Sequence, residues 1–185
     1  AATATRDITY TWYDASPFAV PAFAPDNLRN RVSATARRNS GSGPYDYLCH
    51  YSYDEHGNVS ELVHAFHELQ AYGQGYKRLR YEYDLISGNI NYFAFQEGEA
   101  DQWLHRYFYD AANRLALVQT STNAVNWDRD EKAFYYLYGS RARQEIGEEK
   151  VQGLDFAHTI HGWIRGVNSG ILKPDWDMGG DGKAL

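Results

Sequence analysis

One short unit recurs along the chain: an aromatic residue, any residue, a second aromatic, Asp, two residues, Gly or Asn, a polar residue and an aliphatic. Clear copies occupy residues 51–59, 81–90 and 107–115, and the second has one extra residue in its turn. A repeat of this kind constrains the fold more than any single residue does, because every copy must adopt the same local structure.

Each part of the unit suits a β-hairpin. Residues two apart on a strand share a face, so the two aromatic rings stack on one side. The Asp carboxylate accepts a backbone N–H two residues on, and Gly or Asn takes the left-handed conformation that closes the loop. The aliphatic residue starts the return strand. The predicted structural positions of the three copies are Tyr51, Tyr53, Asp54, Gly57, Tyr81, Tyr83, Asp84, Gly88, Tyr107, Tyr109, Asp110 and Asn113.

Two weaker copies follow toward the C-terminus. Residues 136–143 keep an aromatic pair, Tyr136 and Tyr138, but lack the Asp and the turn glycine at their expected places. The departures at Gly139 and Ala142 predict an irregular turn there. Residues 156–164 keep the turn glycine and the aliphatic. This copy adds Gly162 and Trp163 to the repeat positions.

A degenerate first copy lies near the N-terminus. Residues 11–14 open a unit, and residues 30–32 resemble its far side. The segment between them contains Pro17, Pro21 and Pro25, which predicts an insertion at the tip of the first hairpin.

Residues 60–69 are ambiguous, because their apolar positions fall at helical spacing. The repeat makes Val59 to about His64 a return strand. We therefore predict a strand there, followed by a loop with one helical turn before Tyr76.

The repeat and the composition together predict an all-β fold. A single hairpin is marginally stable in water, so consecutive antiparallel hairpins must pair side by side in an open ribbon. Sixteen tyrosines and sixteen glycines support many short strands and turns. We treat residues 1–185 as one repeat segment. It comprises a degenerate first repeat with its insertion and a Gly/Ser connector (1–44), the main repeats (45–168) and a flexible tail (169–185).

Charge and hydropathy exclude several partners. The net charge of −6 argues against nucleic acid and anionic membrane surfaces. No run of apolar residues approaches the roughly 20 that a helix needs to span a membrane. Cys49 is the single cysteine, which excludes internal disulfides and predicts a small buried apolar residue.

The longest ordered stretches of the repeat lie at 77–88, 105–115 and 151–169. At these residues the chain resembles the YD-repeat or Rhs repeat family, including the C components of insecticidal toxin complexes. The resemblance implies a hairpin ribbon that curves and spirals into a hollow shell around a variable C-terminal polypeptide. Some members cleave themselves through aspartates in a core segment after the repeats, but no matching Asp-Pro-type motif is present here.

The resemblance implies a non-catalytic wall segment of a bacterial protein that is secreted or exposed at the cell surface. Its partners would be the rest of its parent polypeptide and an enclosed C-terminal effector, with no cofactor. One alternative is a module that binds carbohydrate or a receptor through aromatic faces. The tryptophans available for it are Trp12, Trp103, Trp127, Trp163 and Trp176. A second alternative is a hydrolase with a carboxylate pair, for which residues 97–101 and 145–149 supply acidic side chains.

Two motifs raise the question of a metal. His64 and His67 are spaced for a metal on a helix, but they lack the zincin pattern and a third ligand. Residues 175–182 have a faint likeness to a calcium loop, but the closing Glu would fall beyond Leu185. We therefore predict surface histidines and an acidic turn, and no metal site.

Overall fold

The computed structural model describes residues 7–39 and 43–168. These residues form twelve strands and one 3-10 helix, η1 (Gln70–Tyr72). The strands are β1 (Ile8–Tyr13), β2 (Val32–Arg38), β3 (Tyr47–Tyr53), β4 (Val59–Phe66), β5 (Tyr76–Tyr83), β6 (Ile90–Phe95), β7 (Trp103–Tyr109), β8 (Leu115–Ser121), β9 (Asp128–Tyr135), β10 (Arg141–Ile146), β11 (Gln152–His158) and β12 (Ile164–Val167).

The all-β prediction is confirmed. The strands follow one another in sequence order across one open sheet, from β1 at one end to β12 at the other. Neighbouring strands pair antiparallel, as expected for hairpins laid side by side. The described residues contain no α-helix and no helix that is long and apolar enough to cross a membrane.

The chain divides into two compact units. The first comprises residues 1–83 and 93–103, and the second comprises residues 84–92 and 104–185. Both contain repeat hairpins, and a single segment over the whole chain stays a prediction. The predicted flexible tail, 169–185, lies outside the described residues, as do residues 40–42 of the Gly/Ser connector and the whole calcium-like loop.

The first unit buries a row of side chains that runs across its strands. Ala34 of β2 pairs with His50 of β3, which pairs with Val63 of β4. These three side chains are at most 1% exposed. The insertion after β1 covers this face of the sheet, because its Ser16, Phe18 and Phe23 contact His50.

The insertion, residues 14–31, lies at the tip of the first hairpin as predicted, because β1 and β2 pair on either side of it. We call it the strap. The strand predicted after Val59 is also confirmed: β4 runs to Phe66, and η1 is the single helical turn before Tyr76. The register of the β3–β4 hairpin overrides the helical spacing of residues 60–69.

The second unit buries charge as well as apolar surface. Leu104 is fully buried, and Arg143 and Glu145 of β10 are each at most 2% exposed. Arg143 pairs directly across from Asp155 of β11, and its Nη1 lies 2.6 Å from Oδ2 of that residue. A buried guanidinium requires such a partner, because an unpaired charge in the interior is costly.

Candidate functional site

The turn of the first clear copy is closed by backbone and carboxylate together. The Asp54 N–H donates to the Asn58 carbonyl at 2.9 Å, and the Gly57 N–H donates to the Asp54 carbonyl at 3.2 Å. The Asp54 carboxylate accepts both the backbone N–H and the side-chain amide of Asn58. Partial desolvation raises the pKa of Asp54, but these bonds outweigh it and leave the pKa below the usual value.

Gly57 occupies a position that other residues would tolerate badly. Its φ is +96°, and a Cβ built there would lie 2.6 Å from Nη2 of Arg31. The turn therefore requires glycine for its backbone conformation.

The second copy repeats this arrangement with one more residue. The Asp84 N–H donates to the Asn89 carbonyl at 2.8 Å, and the Gly88 N–H donates to the Asp84 carbonyl. The Asp84 carboxylate accepts the backbone N–H groups of Ile86 and Ser87 at 3.1 and 2.7 Å. The bond from Ser87 is the main reason that the pKa of Asp84 is lowered.

The third copy adds an ion pair to the same turn. The Asp110 carboxylate accepts the backbone N–H groups of Ala112 and Arg114, each at 2.9 Å, and the Arg114 guanidinium. The Arg114 side chain is the main reason that the pKa of Asp110 is lowered. Asn113, with φ +63°, takes the place that Gly57 has in the first copy. Its side-chain carbonyl accepts a hydrogen bond from the side-chain amide of Asn89 in the neighbouring turn.

The prediction of an irregular turn at 136–143 is wrong. Strand β9 ends at Tyr135, and Tyr136 takes the place that Asp54 has in the first copy. The Tyr136 N–H donates to the Ser140 carbonyl, and the Gly139 N–H donates to the Tyr136 carbonyl, both at 2.9 Å. The predicted copy was displaced by three positions: it matched Tyr138 to the end of the outgoing strand, which the structure places at Tyr135. Several tyrosines lie close together here, and more than one of them fits the aromatic positions of the repeat.

The last copy replaces Asp with Thr159. Its N–H donates to the Trp163 carbonyl at 2.8 Å, the Gly162 N–H donates to its carbonyl, and its hydroxyl accepts the Trp163 N–H. The Trp163 side chain is 74% exposed. The hydroxyl thus takes over part of the carboxylate's role in this turn.

A second set of contacts joins each hairpin to the one before it. The tyrosine that ends an outgoing strand donates its hydroxyl to the carbonyl of the first residue in the preceding return strand. The pairs are Tyr53 to Val32 (2.9 Å), Tyr83 to Val59 (3.0 Å), Tyr109 to Ile90 (2.9 Å) and Tyr135 to Leu115 (2.6 Å). His158 continues the series with Nε2 at 2.9 Å from the Arg141 carbonyl. We call these five contacts the tyrosine ladder.

Sequence reasoning missed the ladder, although a signal was present. In every clear copy the residue directly before Asp is Tyr and never Phe, whereas Phe is as good a strand former. A fixed hydroxyl indicates a hydrogen bond. Two arginines reinforce the ladder by covering its rings: Arg31 lies over Tyr53, and Arg114 lies over Tyr135 at 4.3 Å.

The paired aromatics do stack along each strand. The ring centroids of Tyr51 and Tyr53 are 6.4 Å apart with planes 14° from parallel, and those of Tyr81 and Tyr83 are 6.4 Å apart at 25°. In the third copy the ring of Tyr107 stacks on His105 at 6.0 Å. One face of the repeat is thus lined by rings, and each ladder tyrosine stands at the turn end of that row.

The strap is held over the other face of the first unit. His50 is 1% exposed, and its Nδ1 lies 3.2 Å from the Ser16 hydroxyl. The rings of Phe18 and Phe23 meet the imidazole edge-on at about 6 Å. This burial lowers the pKa of His50, because the apolar surroundings disfavour the charged form.

In the part of the chain that the structure describes, the histidines considered as metal ligands do not form a metal site, and the single cysteine is buried. His64 lies on a strand and bonds to the Tyr47 hydroxyl, whereas His67 is exposed in a loop. No group of three potential metal ligands occurs among the described residues. Cys49 is buried, as predicted, and burial raises the pKa of its thiol.

The acidic and tryptophan candidates are largely paired as well. Glu97 pairs with Arg80, and the Glu148 carboxylate accepts the Arg129 N–H at 2.7 Å. Trp12 packs against Tyr10 and Phe18, and Trp127 lies under Arg106 at 3.7 Å. Trp103 and Trp163 are exposed to 44% and 74%, and Trp176 lies outside the described residues.

Comparison with known proteins shows a shared fold without detectable sequence kinship. No protein-family model matches the chain. No curated protein sequence matches it significantly.

Among solved structures, a Tc holotoxin pore of Photorhabdus luminescens with a mutated TccC3 matches 88% of the chain with a TM-score of 0.52 and 11% identity. A TcdB2–TccC3–Cdc42 crystal structure matches 89% with a TM-score of 0.53 and 12% identity. TcdB2–TccC3 without its hypervariable C-terminal region matches 88% with a TM-score of 0.54 and 11% identity. The chain spans 9% of the length of each of these chains, so the likeness is to a part of them and concerns the fold.

The ladder predicts unequal effects for two neighbouring tyrosines. Replacing Tyr83 with Phe removes the hydroxyl that bonds to Val59 and should lower the free energy of unfolding by about 1 kcal/mol. Tyr81→Phe is the matched control, because the Tyr81 hydroxyl makes no hydrogen bond to the described residues. Urea unfolding measures the free energy of unfolding of both variants. Equal losses in the two variants would show that the ladder bond adds nothing.

The buried imidazole predicts a dependence of stability on pH. The folded-state pKa of His50 is lowered, so the unfolded chain binds more protons as pH falls below about 6.5. The free energy of unfolding should therefore fall as the pH is lowered from 7.5 to 5. The contribution of His50 to this slope is at most about 1.4 kcal/mol per pH unit. His50→Asn should flatten part of that fall.

His56→Asn serves as the control, since His56 is exposed on a turn. His64 and His105 also have pKa values lowered by burial, so the fall should be reduced and not removed. If His50→Asn kept the full slope of the unaltered chain, the strap would not hold the imidazole neutral.

Proposed function

We propose that the chain is a non-catalytic wall segment of a larger Rhs-type β-shell that encloses or presents a C-terminal effector polypeptide. The observation that carries this proposal is the continuous order of the twelve strands, in which hairpin after hairpin is added by the same contacts. Such an arrangement makes a surface that grows by repetition, because each repeat contacts only its neighbours.

The repeat contacts explain how a wall of this kind holds together. Backbone pairing joins the strands, and the tyrosine ladder adds one side-chain bond from each hairpin to the previous one. The Asp carboxylates close turns, and equivalent turns use Tyr136 and Thr159 instead. A catalytic carboxylate would not be replaced in this way, so the aspartates serve structure.

The ends of the sheet support a role as part of something larger. Strands β1 and β12 each pair on one side only among the described residues. Tyr13 has the ladder position in the first hairpin and is 59% exposed, and its hydroxyl makes no hydrogen bond to the described residues. Its hydroxyl would bond to a preceding hairpin if the same pattern continued.

The similar structures supply the context of the proposal. One is a Tc holotoxin pore that contains TccC3, and two are assemblies of TcdB2 and TccC3, one of which is described as lacking a hypervariable C-terminal region. By analogy, we propose that the partners here are the remainder of a parent polypeptide and a variable C-terminal effector, in a bacterial protein that is secreted or displayed at the cell surface. A hydrolase is not proposed, since Glu97 and Asp101 are bound in ion pairs.

The open edges predict self-association of the isolated chain. Unpaired strand edges recruit further strands, so sedimentation velocity should show oligomers that increase with concentration. Ile164→Lys places a charge on the β12 edge and should weaken association, whereas Leu137→Lys, in an exposed turn, should not. A chain that sediments as a monomer at high concentration would contradict the open-edge proposal.

Enclosure predicts protection from protease in the parent polypeptide. The region that follows the repeats should resist digestion in the native protein and become sensitive in mild denaturant that opens the sheet. The same region expressed alone is the control for its own resistance. If it were cut equally fast in the native parent and alone, enclosure by the shell would be disproved.

A further inference from the structure

The first unit contains a polar cleft that the repeat contacts do not use. It lies between the loop after β4 and the loop after β6, residues 67–75 and 96–102, and has a volume of about 480 Å³. This volume falls within the roughly 300–1,000 Å³ of small-molecule sites. Its lining includes Gln74, Tyr76, Arg78, Gln96, Glu99 and Asp101.

One wall of the cleft is already ordered by hydrogen bonds. Lys77 donates to the side chains of both Gln74 and Asp101. Gln96 is 7% exposed, and its side-chain carbonyl accepts the Arg78 N–H at 2.6 Å. Because these side chains are already ordered, a ligand that contacts them loses little free energy to side-chain ordering, which favours binding.

The remaining groups are directed to solvent. Tyr76 is half-buried, and its ring stacks on no other ring among the described residues. The Glu99 side chain is exposed and accepts no hydrogen bond from them. An aromatic face next to acceptor oxygens suits a ligand with both C–H faces and hydroxyl groups.

The charges at the cleft nearly balance. Arg78 pairs with Glu61 at 3.1 Å and Lys77 pairs with Asp101, which leaves the single charge of Glu99. The Arg78 guanidinium is also held by the carbonyls of Pro21 and Ala22 in the strap. A strongly charged ligand would leave one set of charges uncompensated. Two carboxylates alone also fall short of the ligands that a metal ion needs, and no group of three was found among the described residues.

We propose that this cleft binds one unit of a neutral saccharide. The sugar ring lies against Tyr76, its hydroxyls donate to the carboxylates of Glu99 and Asp101, and the Gln74 amide donates to a ring substituent. This site uses none of the ladder or turn residues, so its success or failure is separate from that of the shell proposal.

The test uses the whole 185-residue chain and a glycan array of neutral and acidic oligosaccharides, followed by calorimetry with the best neutral one. D-glucose, D-galactose, N-acetyl-D-glucosamine and D-glucuronate serve as monosaccharide probes in saturation-transfer NMR. Glu99→Gln should weaken binding about tenfold, because hydrogen bonds to a charged acceptor are worth more than neutral ones. Ala100→Phe fills the cleft and should abolish binding.

Glu68→Gln is the matched control, because Glu68 is exposed on the same loop as Gln74 but does not line the cleft. The thermal midpoints of all three variants should equal that of the unaltered chain, since each change is at an exposed loop position. The proposal is overturned if no neutral saccharide binds at millimolar concentration, if only D-glucuronate or acidic glycans bind, or if Ala100→Phe binds as well as the control.

Discussion

The hydrogen bond from a tyrosine hydroxyl to a carbonyl of the preceding hairpin is the contact on which the repeat arrangement depends. Backbone pairing alone does not define register, because a strand can slip along its neighbour and still form the same number of N–H to C=O hydrogen bonds. The hydroxyls of Tyr53, Tyr83, Tyr109 and Tyr135 each reach the first residue of the previous return strand, at 2.6–3.0 Å. A slip by one residue would lose the bond and turn the aromatic row to the other face.

The turns tolerate more change than the ladder does. Asp54, Asp84 and Asp110 close their turns with carboxylates, but Tyr136 and Thr159 hold the same place with the same backbone bonds. What these turns share is a residue with positive φ two positions before the return strand begins: glycine in most, Asn113 in one. The backbone conformation therefore defines the turn, and the carboxylate adds stability where it is present.

The hairpins were predictable because everything they need is local. The alternation of aromatics, the Asp and the turn glycine lie within ten residues, so the copies at 51–59, 81–90 and 107–115 are readable without a structure. The strand over Val59–Phe66 was also predictable, since the repeat outweighed its helical spacing. The error at 136–143 came from a cluster of tyrosines, because local pattern alone cannot choose between Tyr135 and Tyr138 as the strand end.

By itself, the sequence determined that this protein is a series of antiparallel hairpins in an all-β sheet. Only the tertiary structure decided that the strap covers His50, that each ladder tyrosine meets the hairpin before it, and that two loops enclose a polar cleft beside Tyr76. Those contacts join residues about 20 or more positions apart. Which distant groups meet depends on sheet register and on the path of the loops, and neither is encoded in a short window of residues.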